Sequence, residues 1–206
     1  MKCFKLFTVL LVFVFSLSAE AQQKPNATVT VKKETRKMFP HVTITPSVGA
    51  IFPLPKILNQ NFKPGGTLGL DIGYRLNKEV GLYGKFGYYF MSSKQTGAPI
   101  GSYLEFTAGP RYFFTHPKLK SALFFEGGVG AYNFRQNSYV SPQDTTGSVV
   151  AQISDTKAGL NGGIGATLAL SDVVDIMVKS KYHLIFTQNG STSFVTVGGG
   201  LEFRFR

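Results

Sequence analysis

The sequence predicts an all-β fold, an eight-stranded antiparallel up-and-down transmembrane β-barrel, and three observations carry that expectation. Apolar and polar residues alternate with period two over segments of about ten residues, the signature of strands with one face apolar. The connections between those segments alternate between short and long. The apolar face carries side chains too bulky for the interior of a small barrel, while the other face carries glycines and charges.

The chain has 206 residues, few charged ones (16%), many aromatics (14%) and 23 glycines. It opens with MKCFKLFTVLLVFVFSLSAEAQQ. Lys2 and Lys5 precede an apolar run that is shorter than the roughly 18 residues a membrane helix needs, and Ala19-Glu20-Ala21 supplies a small-x-small cleavage pattern. Residues 1–21 therefore read as a cleaved secretory signal peptide. The only cysteine, Cys3, lies inside it, so the mature chain is expected to hold no disulfide. Residues 22–40 read as a basic, flexible periplasmic lead segment, with Lys24, Lys32, Lys33, Arg36 and Lys37 against Glu34. Residues 41–206 read as the barrel. Removing the leader's charges lowers the formal net charge from +11 to +10. An exported chain of that sign points to anionic lipid or polysaccharide surfaces, and no nucleic-acid partner is expected.

The strands follow in order: HVTITPSVGAIF, TLGLDIGYRL, VGLYGKFGYYF, YLEFTAGPRYFF, ALFFEGGVGAYNF, AGLNGGIGATLAL, VVDIMVKSKYHLIF and FVTVGGGLEFRFR. In the second, Leu68, Leu70, Ile72, Tyr74 and Leu76 face one way while Gly69, Asp71, Gly73 and Arg75 face the other. In the third, Val80, Leu82, Phe86, Tyr88 and Phe90 oppose Gly81, Tyr83, Lys85, Gly87 and Tyr89. Asn77 to Glu79, Thr115 to Lys120 and Ser171-Asp172 are the short connections. Pro55 to Pro64, Ser92 to Gly101 and Asn137 to Asp155 are longer, and Gln188 to Thr192 is intermediate. Outer-membrane barrels keep short turns at the periplasm and long loops outside. Pro110 cannot donate to a ladder, so a local bulge or a lost ladder bond is expected beside Arg111.

A soluble barrel alternates equally well with its apolar face inward. Side-chain volume decides between the two: Phe52, Phe86, Tyr88, Phe90, Phe106, Tyr112, Phe114, Phe125, Phe203 and Phe205 would overfill a lumen of eight strands. Turned outward, these rings gather near the segment ends, as interfacial girdles do.

The leader ending SAEAQQ, the glycine-rich alternating segments, GPRYFF and the closing GLEFRF resemble the small outer-membrane barrels of the OmpA/OmpX-like, porin-family type, over residues 41–206. The resemblance implies residence in the outer membrane of a Gram-negative bacterium, among outer-membrane lipid and lipopolysaccharide. It also implies insertion by the outer-membrane assembly machinery through an aromatic-ended last strand, with Phe203 and Phe205 as the signal and Arg206 an addition beyond it. Such families range over structural support, adhesion, host-defence resistance and lipid modification, so function is left open.

The inward charges are Asp71, Glu105, Glu126, Asp175 and Glu202 against Arg75, Lys85, Arg111, Lys179, Lys181 and Arg204. Strand adjacency suggests the pairs Asp71 with Lys85, Arg111 with Glu126 and Lys179 with Glu202, a self-neutralising network that fills the lumen. The expected function is non-enzymatic: a monomeric barrel, without cofactor or metal, acting through outer loops in surface binding, adhesion or envelope integrity. An extracellular ligand is expected at residues 137–155. The alternatives are a small channel, which needs spare width or a ring of one sign, and a lipid-modifying enzyme using His183 with a rim serine such as Ser102 or Ser193. The histidines His41, His116 and His183 lack metal-ligand spacing. GGVGAY at Gly127 to Tyr132 and GGIGAT at Gly162 to Thr167 read as strands, because no helix follows to receive a phosphate.

Overall fold

A computed structural model describes residues 39–54, 57–95, 97–115, 121–140, 149–188 and 190–205. The segment read as a signal peptide, almost all of the one read as a lead segment, His116, residues 141–148 of the expected ligand-binding loop and Arg206 lie outside these residues. The elements are β1 (His41–Pro53), α1 (Ile57–Asn61), β2 (Gly65–Arg75), β3 (Val80–Met91), β4 (Gly101–Thr115), β5 (Ser121–Gln136), β6 (Tyr139–Val140), β7 (Val149–Val150), β8 (Ile153–Ala169), β9 (Val174–Thr187) and β10 (Gly190–Phe205). β6 and β7 make a separate two-stranded hairpin. The other eight strands close into an antiparallel barrel in the order β1-β10-β9-β8-β5-β4-β3-β2.

Each strand obeys the alternation that its sequence dictates. Along β3, Leu82, Phe86, Tyr88 and Phe90 are exposed while Tyr83, Lys85 and Tyr89 are buried. Leu68, Leu70, Ile72, Phe106, Val129 and Leu201 continue the exposed apolar belt around the outside. Large exposed apolar side chains in this number are unstable in water and suited to hydrocarbon. No helix among the described residues is long and apolar enough to cross a membrane.

The short connections after β2 and β8 lie at the end where β1 begins and β10 stops, and β4 ends and β5 starts there too. At the first of them the Asn77 side chain accepts from the backbone N–H of Glu79 and of Val80, both at 2.8 Å, an Asx-type turn. Ser171 Oγ accepts in the same way from Val173 and Val174. The opposite end carries the longer loops, and there the structure adds two elements that the alternation does not announce: the helix α1 and the β6–β7 hairpin. β8 also starts earlier than its apolar pattern, reaching up to Ile153 within the segment read as a loop from Asn137 to Asp155.

Pro110 interrupts one ladder and leaves the register intact. β4 pairs with β5 through Ala108↔Val129 and resumes at Arg111↔Glu126 in unchanged register, so ladder pairs are lost and no bulge forms. Its pairing with β3 runs unbroken through Leu82↔Pro110. Pro46 repeats this arrangement at the barrel's closing seam. β1 pairs Ile44↔Phe203 and then Ser47↔Gly200 with β10, while Pro46↔Leu70 is kept with β2. Both prolines are exposed on the outer surface. Each stands beside a glycine at which the backbones come very close: a Cβ on Gly109 would collide with the Gly127 carbonyl oxygen, and one on Gly200 with that of Pro46. Strands missing a donor are thus drawn together where no side chain holds them apart.

Candidate functional site

The lumen is built from the inward-pointing half of every strand, and its contents change along the axis. At the turn end, Phe113, Ala122, Phe124 and Met177 form an apolar cluster. The Arg75 guanidinium lies over the Phe113 ring at 3.8 Å and donates to the Lys78 carbonyl at 2.9 Å. Arg204 pairs there with Asp175.

Above this cluster lies an ionic layer. Arg111 donates to Glu126 Oε2 from Nη2 at 2.5 Å and from Nε at 2.8 Å. The same guanidinium comes within 3.7 Å of Asp71 and 3.9 Å of Glu202. Lys179 reaches Asp71 at 2.5 Å, and Lys181 reaches Glu126 at 2.8 Å. Tyr83 is shared between them: its hydroxyl donates to Asn161 Oδ1 at 2.7 Å and accepts from Lys181 at 3.3 Å, and Lys181 also sits 4.4 Å above its ring. Charge-assisted bonds of this kind hold buried ions that would otherwise cost several kcal/mol each to desolvate.

A second polar knot surrounds Glu105, which is fully buried. Lys85 lies 3.3 Å away, Thr107 donates to it at 2.8 Å, and Tyr89 donates its hydroxyl to the same carboxylate. Tyr132 bridges onward to His183 Nδ1 at 3.0 Å, and His183 Nε2 meets Thr196 Oγ1 at 3.2 Å. The imidazole stacks on Phe194 with centroids 4.5 Å apart. Towards the loop end the lumen turns apolar again. Ile51, Met91, Tyr103, Ile185 and Phe194 pack together, and Leu58 and Phe62, from α1 and the residue after it, close over them.

Two of the three pairings inferred from strand adjacency are corrected. Asp71 and Lys85 are register partners, yet Asp71 turns to Lys179 and Arg111 while Lys85 turns to Glu105. Lys179 does not pair with Glu202, whose nearest cation is Arg111. The reason is lumen width. Side chains as long as lysine and arginine cross an eight-stranded barrel, so the opposite wall competes with the neighbouring strand. Arg111 and Glu126 do meet, across the ladder that joins β4 to β5.

Sequence reasoning placed Tyr83 and Tyr89 on the inward face but missed the apolar plug at the loop end, although the signal was present. Met91, Tyr103 and Phe194 stand at inward parity near the strand ends. The enzyme alternative finds no support in the geometry of its named serines. Ser102 and Ser193 have the parity of the outward-facing Leu104 and Val195, whereas His183 points into the lumen, and the Ser102 hydroxyl is directed at the Arg135 carbonyl. The glycine-rich segments at 127–132 and 162–167 lie within β5 and β8. Phe205 is exposed on the outer wall at the end of β10, and Phe203 is partly exposed.

A closed eight-stranded barrel with an apolar aromatic exterior and a packed polar interior defines a membrane-spanning β-barrel. The chain belongs to the family described as the outer membrane protein beta-barrel domain, whose model matches residues 7–205. It is an outer-membrane protein of the Gram-negative type, of OmpA/OmpX-like architecture. Among solved structures it is similar to Neisserial surface protein A, with 15% identity, a TM-score of 0.60, and 80% of this chain and 97% of that one covered. It is also similar to the outer membrane protein OprG of Pseudomonas aeruginosa, with 13% identity, a TM-score of 0.56, and 81% and 96% covered. The N-terminal barrel domain of OprF from the same organism matches at 16% identity and a TM-score of 0.52, with 81% and 98% covered. At these identities the likeness is one of fold. No curated protein sequence gives a significant match.

Proposed function

We propose that this protein is a non-enzymatic outer-membrane barrel whose lumen is sealed by its own side chains, and which acts through its outer loops in surface binding, adhesion or envelope integrity. One observation supports the reading above all: the ionic layer and the Glu105 knot are flanked at both ends by packed apolar clusters. A conducting pore needs spare width or a ring of one sign, and here acids and bases interleave at contact distance. With the lumen committed to holding the wall together, the parts free to meet partners are those above the rim, chiefly residues 137–155. Phe203 and Phe205, on the outer wall at the chain's end, suit recognition by the assembly machinery.

The test is binding of intact cells carrying the protein to host and abiotic surfaces, with and without residues 137–155. The expected result is binding that falls to background when the segment is removed while the barrel still shows heat-modifiable gel mobility. Equal binding by both forms contradicts the loop assignment. Hydrolysis or acyl transfer on lipopolysaccharide or phospholipid that is lost in His183→Ala contradicts the non-enzymatic one.

A further inference from the structure

At the loop end, the outer face of β5 carries a cation held in one orientation. Val129, Ala131, Asn133 and Arg135 share outward parity there, and Arg135 is exposed. Arg135 donates from Nε to Asn133 Oδ1 at 2.7 Å, and the Asn133 amide donates to Thr156 Oγ1 on β8 at 2.8 Å. That chain grips the guanidinium by one edge. Its two terminal amino groups make no hydrogen bond or ion pair among the described residues. Thr156, used here as an acceptor, keeps its own proton to donate. The acids of β4, β5 and β8 are Glu105, Glu126 and Asp155, and all three stand at inward parity, so no acid of these strands neutralises Arg135 on the outer face. A planar fork with its outer edge open matches phosphate oxygens, which it takes two at a time.

Lower on the same wall the apolar belt is indented by a hollow of about 440 Å³. Gly84 and Ala108, register partners on β3 and β4, form its floor, and Leu70, Phe86, Phe106 and Val129 rise around it. Phe86 and Phe106 meet edge to face at 4.9 Å and form its margin towards the loop end. A Cβ on Gly84 would touch nothing within 4 Å, so the indentation follows from the side chain that glycine lacks. The register sets this hollow beneath Arg135. A row of paired residues followed from His41 through β2 and on round the barrel returns to β1 at Ile51, ten residues nearer the loop end. Rows therefore climb from β2 towards β10, and the point straight below a residue of β5 lies on β4 and β3. With about 3.3 Å per residue, about 4.8 Å between strands and a tilt of about 35–45°, Phe86 and Phe106 lie roughly 15 Å below Arg135 and the floor of the hollow roughly 20 Å below. One leaflet with its headgroups is about 20 Å deep. A lipid whose phosphate sits on Arg135 thus ends a chain in the hollow.

We propose that β3, β4, β5 and β8 together present a binding site for lipopolysaccharide of the outer leaflet. A phosphate of its lipid A part takes the open edge of Arg135 and the hydroxyl of Thr156, and one acyl chain ends in the hollow at Gly84. The loop end faces the outer leaflet, where lipopolysaccharide supplies phosphate and chain in one molecule. A phosphate monoester carries more charge than the diester of a phospholipid and presents three acceptor oxygens, which suits a fork with no competing acid beside it. The site lies on the wall below residues 137–155 and goes beyond the loop-mediated reading without resting on it.

Native mass spectrometry of the purified full-length barrel in detergent, titrated with diphosphoryl lipid A, tests this. The wild type is expected to retain one lipid A. Arg135→Ala is expected to weaken retention about tenfold or more, the scale of a lost charge-assisted bond. Gly84→Leu is expected to weaken it about fourfold for each methylene it keeps out of the hollow. Both variants are expected to keep heat-modifiable gel mobility, since Arg135 is exposed and a Cβ at Gly84 meets nothing. Dephosphorylated lipid A is expected to bind weakly, and to the wild type and Arg135→Ala alike. Lys157→Ala removes a base at the same end but at inward parity, and is expected to retain lipid A as the wild type does. Retention that either Arg135→Ala or Gly84→Leu leaves unchanged overturns the inference, as does an equal loss in Lys157→Ala. Equal, Arg135-dependent retention of phosphatidylglycerol assigns the site to phospholipid and overturns the choice of lipopolysaccharide.

Discussion

β5 and β8 run side by side twice, once within the barrel wall and once above its rim, and ion pairs occur in both places with opposite physical weight. In the wall, Glu126 of β5 holds Arg111 and Lys181 at 2.5 and 2.8 Å with almost no solvent exposure. Above the rim, Asp155 and Lys157 of β8 pair at 3.1 Å with side-chain exposures of 52% and 24%. The lower pairs hold ions whose desolvation is already complete, so the fold depends on every partner being present. The upper pair is screened by water, contributes little to stability, and is free to exchange partners. Residues of one chemical type thus sit desolvated in one half of a strand pair and solvated in the other.

Substitutions can break that contrast in order of expected size. Glu126→Ala leaves Arg111, Lys179 and Lys181 short of an anion in the buried layer, with an expected loss of about 3–5 kcal/mol. Urea unfolding of the vesicle-reconstituted barrel, followed by heat-modifiable gel mobility, measures it. A loss below about 1 kcal/mol shows that the layer is hydrated. Phe194→Ala removes the ring stacked on His183 at the base of the apolar plug, with an expected cost of about 3 kcal/mol or somewhat more by the same assay. Gly200→Leu forces a side chain into the closing seam against Pro46. It is expected to cost about 1–3 kcal/mol, with slower assembly into lipid vesicles. Asp155→Ala sits at the small end, within about 1 kcal/mol of wild type in unfolding. A stability loss at Asp155 comparable to that at Glu126 removes the distinction between the two halves.

What the sequence disclosed follows from the range of the interactions involved. Strand parity is local, so VGLYGKFGYYF sorts its own faces and Lys85, Tyr83 and Tyr89 can be placed inward from sequence alone. The pairing of Arg111 with Glu126 was legible because the two strands are joined by a short turn. The partners of Asp71 were not, because Lys179 lies 108 residues away and reaches it across the lumen, a contact no local pattern encodes. The apolar plug was half legible: Met91, Tyr103 and Phe194 stand at inward parity, but only closure of the barrel brings them together beneath Leu58 and Phe62. The early start of β8 was hidden because Ile153 to Asp155 fall within the segment read as loop and Ser154 to Lys157 are polar, with no apolar alternation to mark a strand.

The central claim is that the lumen is closed by its own charges and rings. Planar bilayers containing the purified full-length barrel test it most directly. A lumen closed in this way gives no steady conductance above the bare bilayer for the wild type, with at most rare, unselective openings. Steady, ion-selective conductance from the wild-type protein would contradict it.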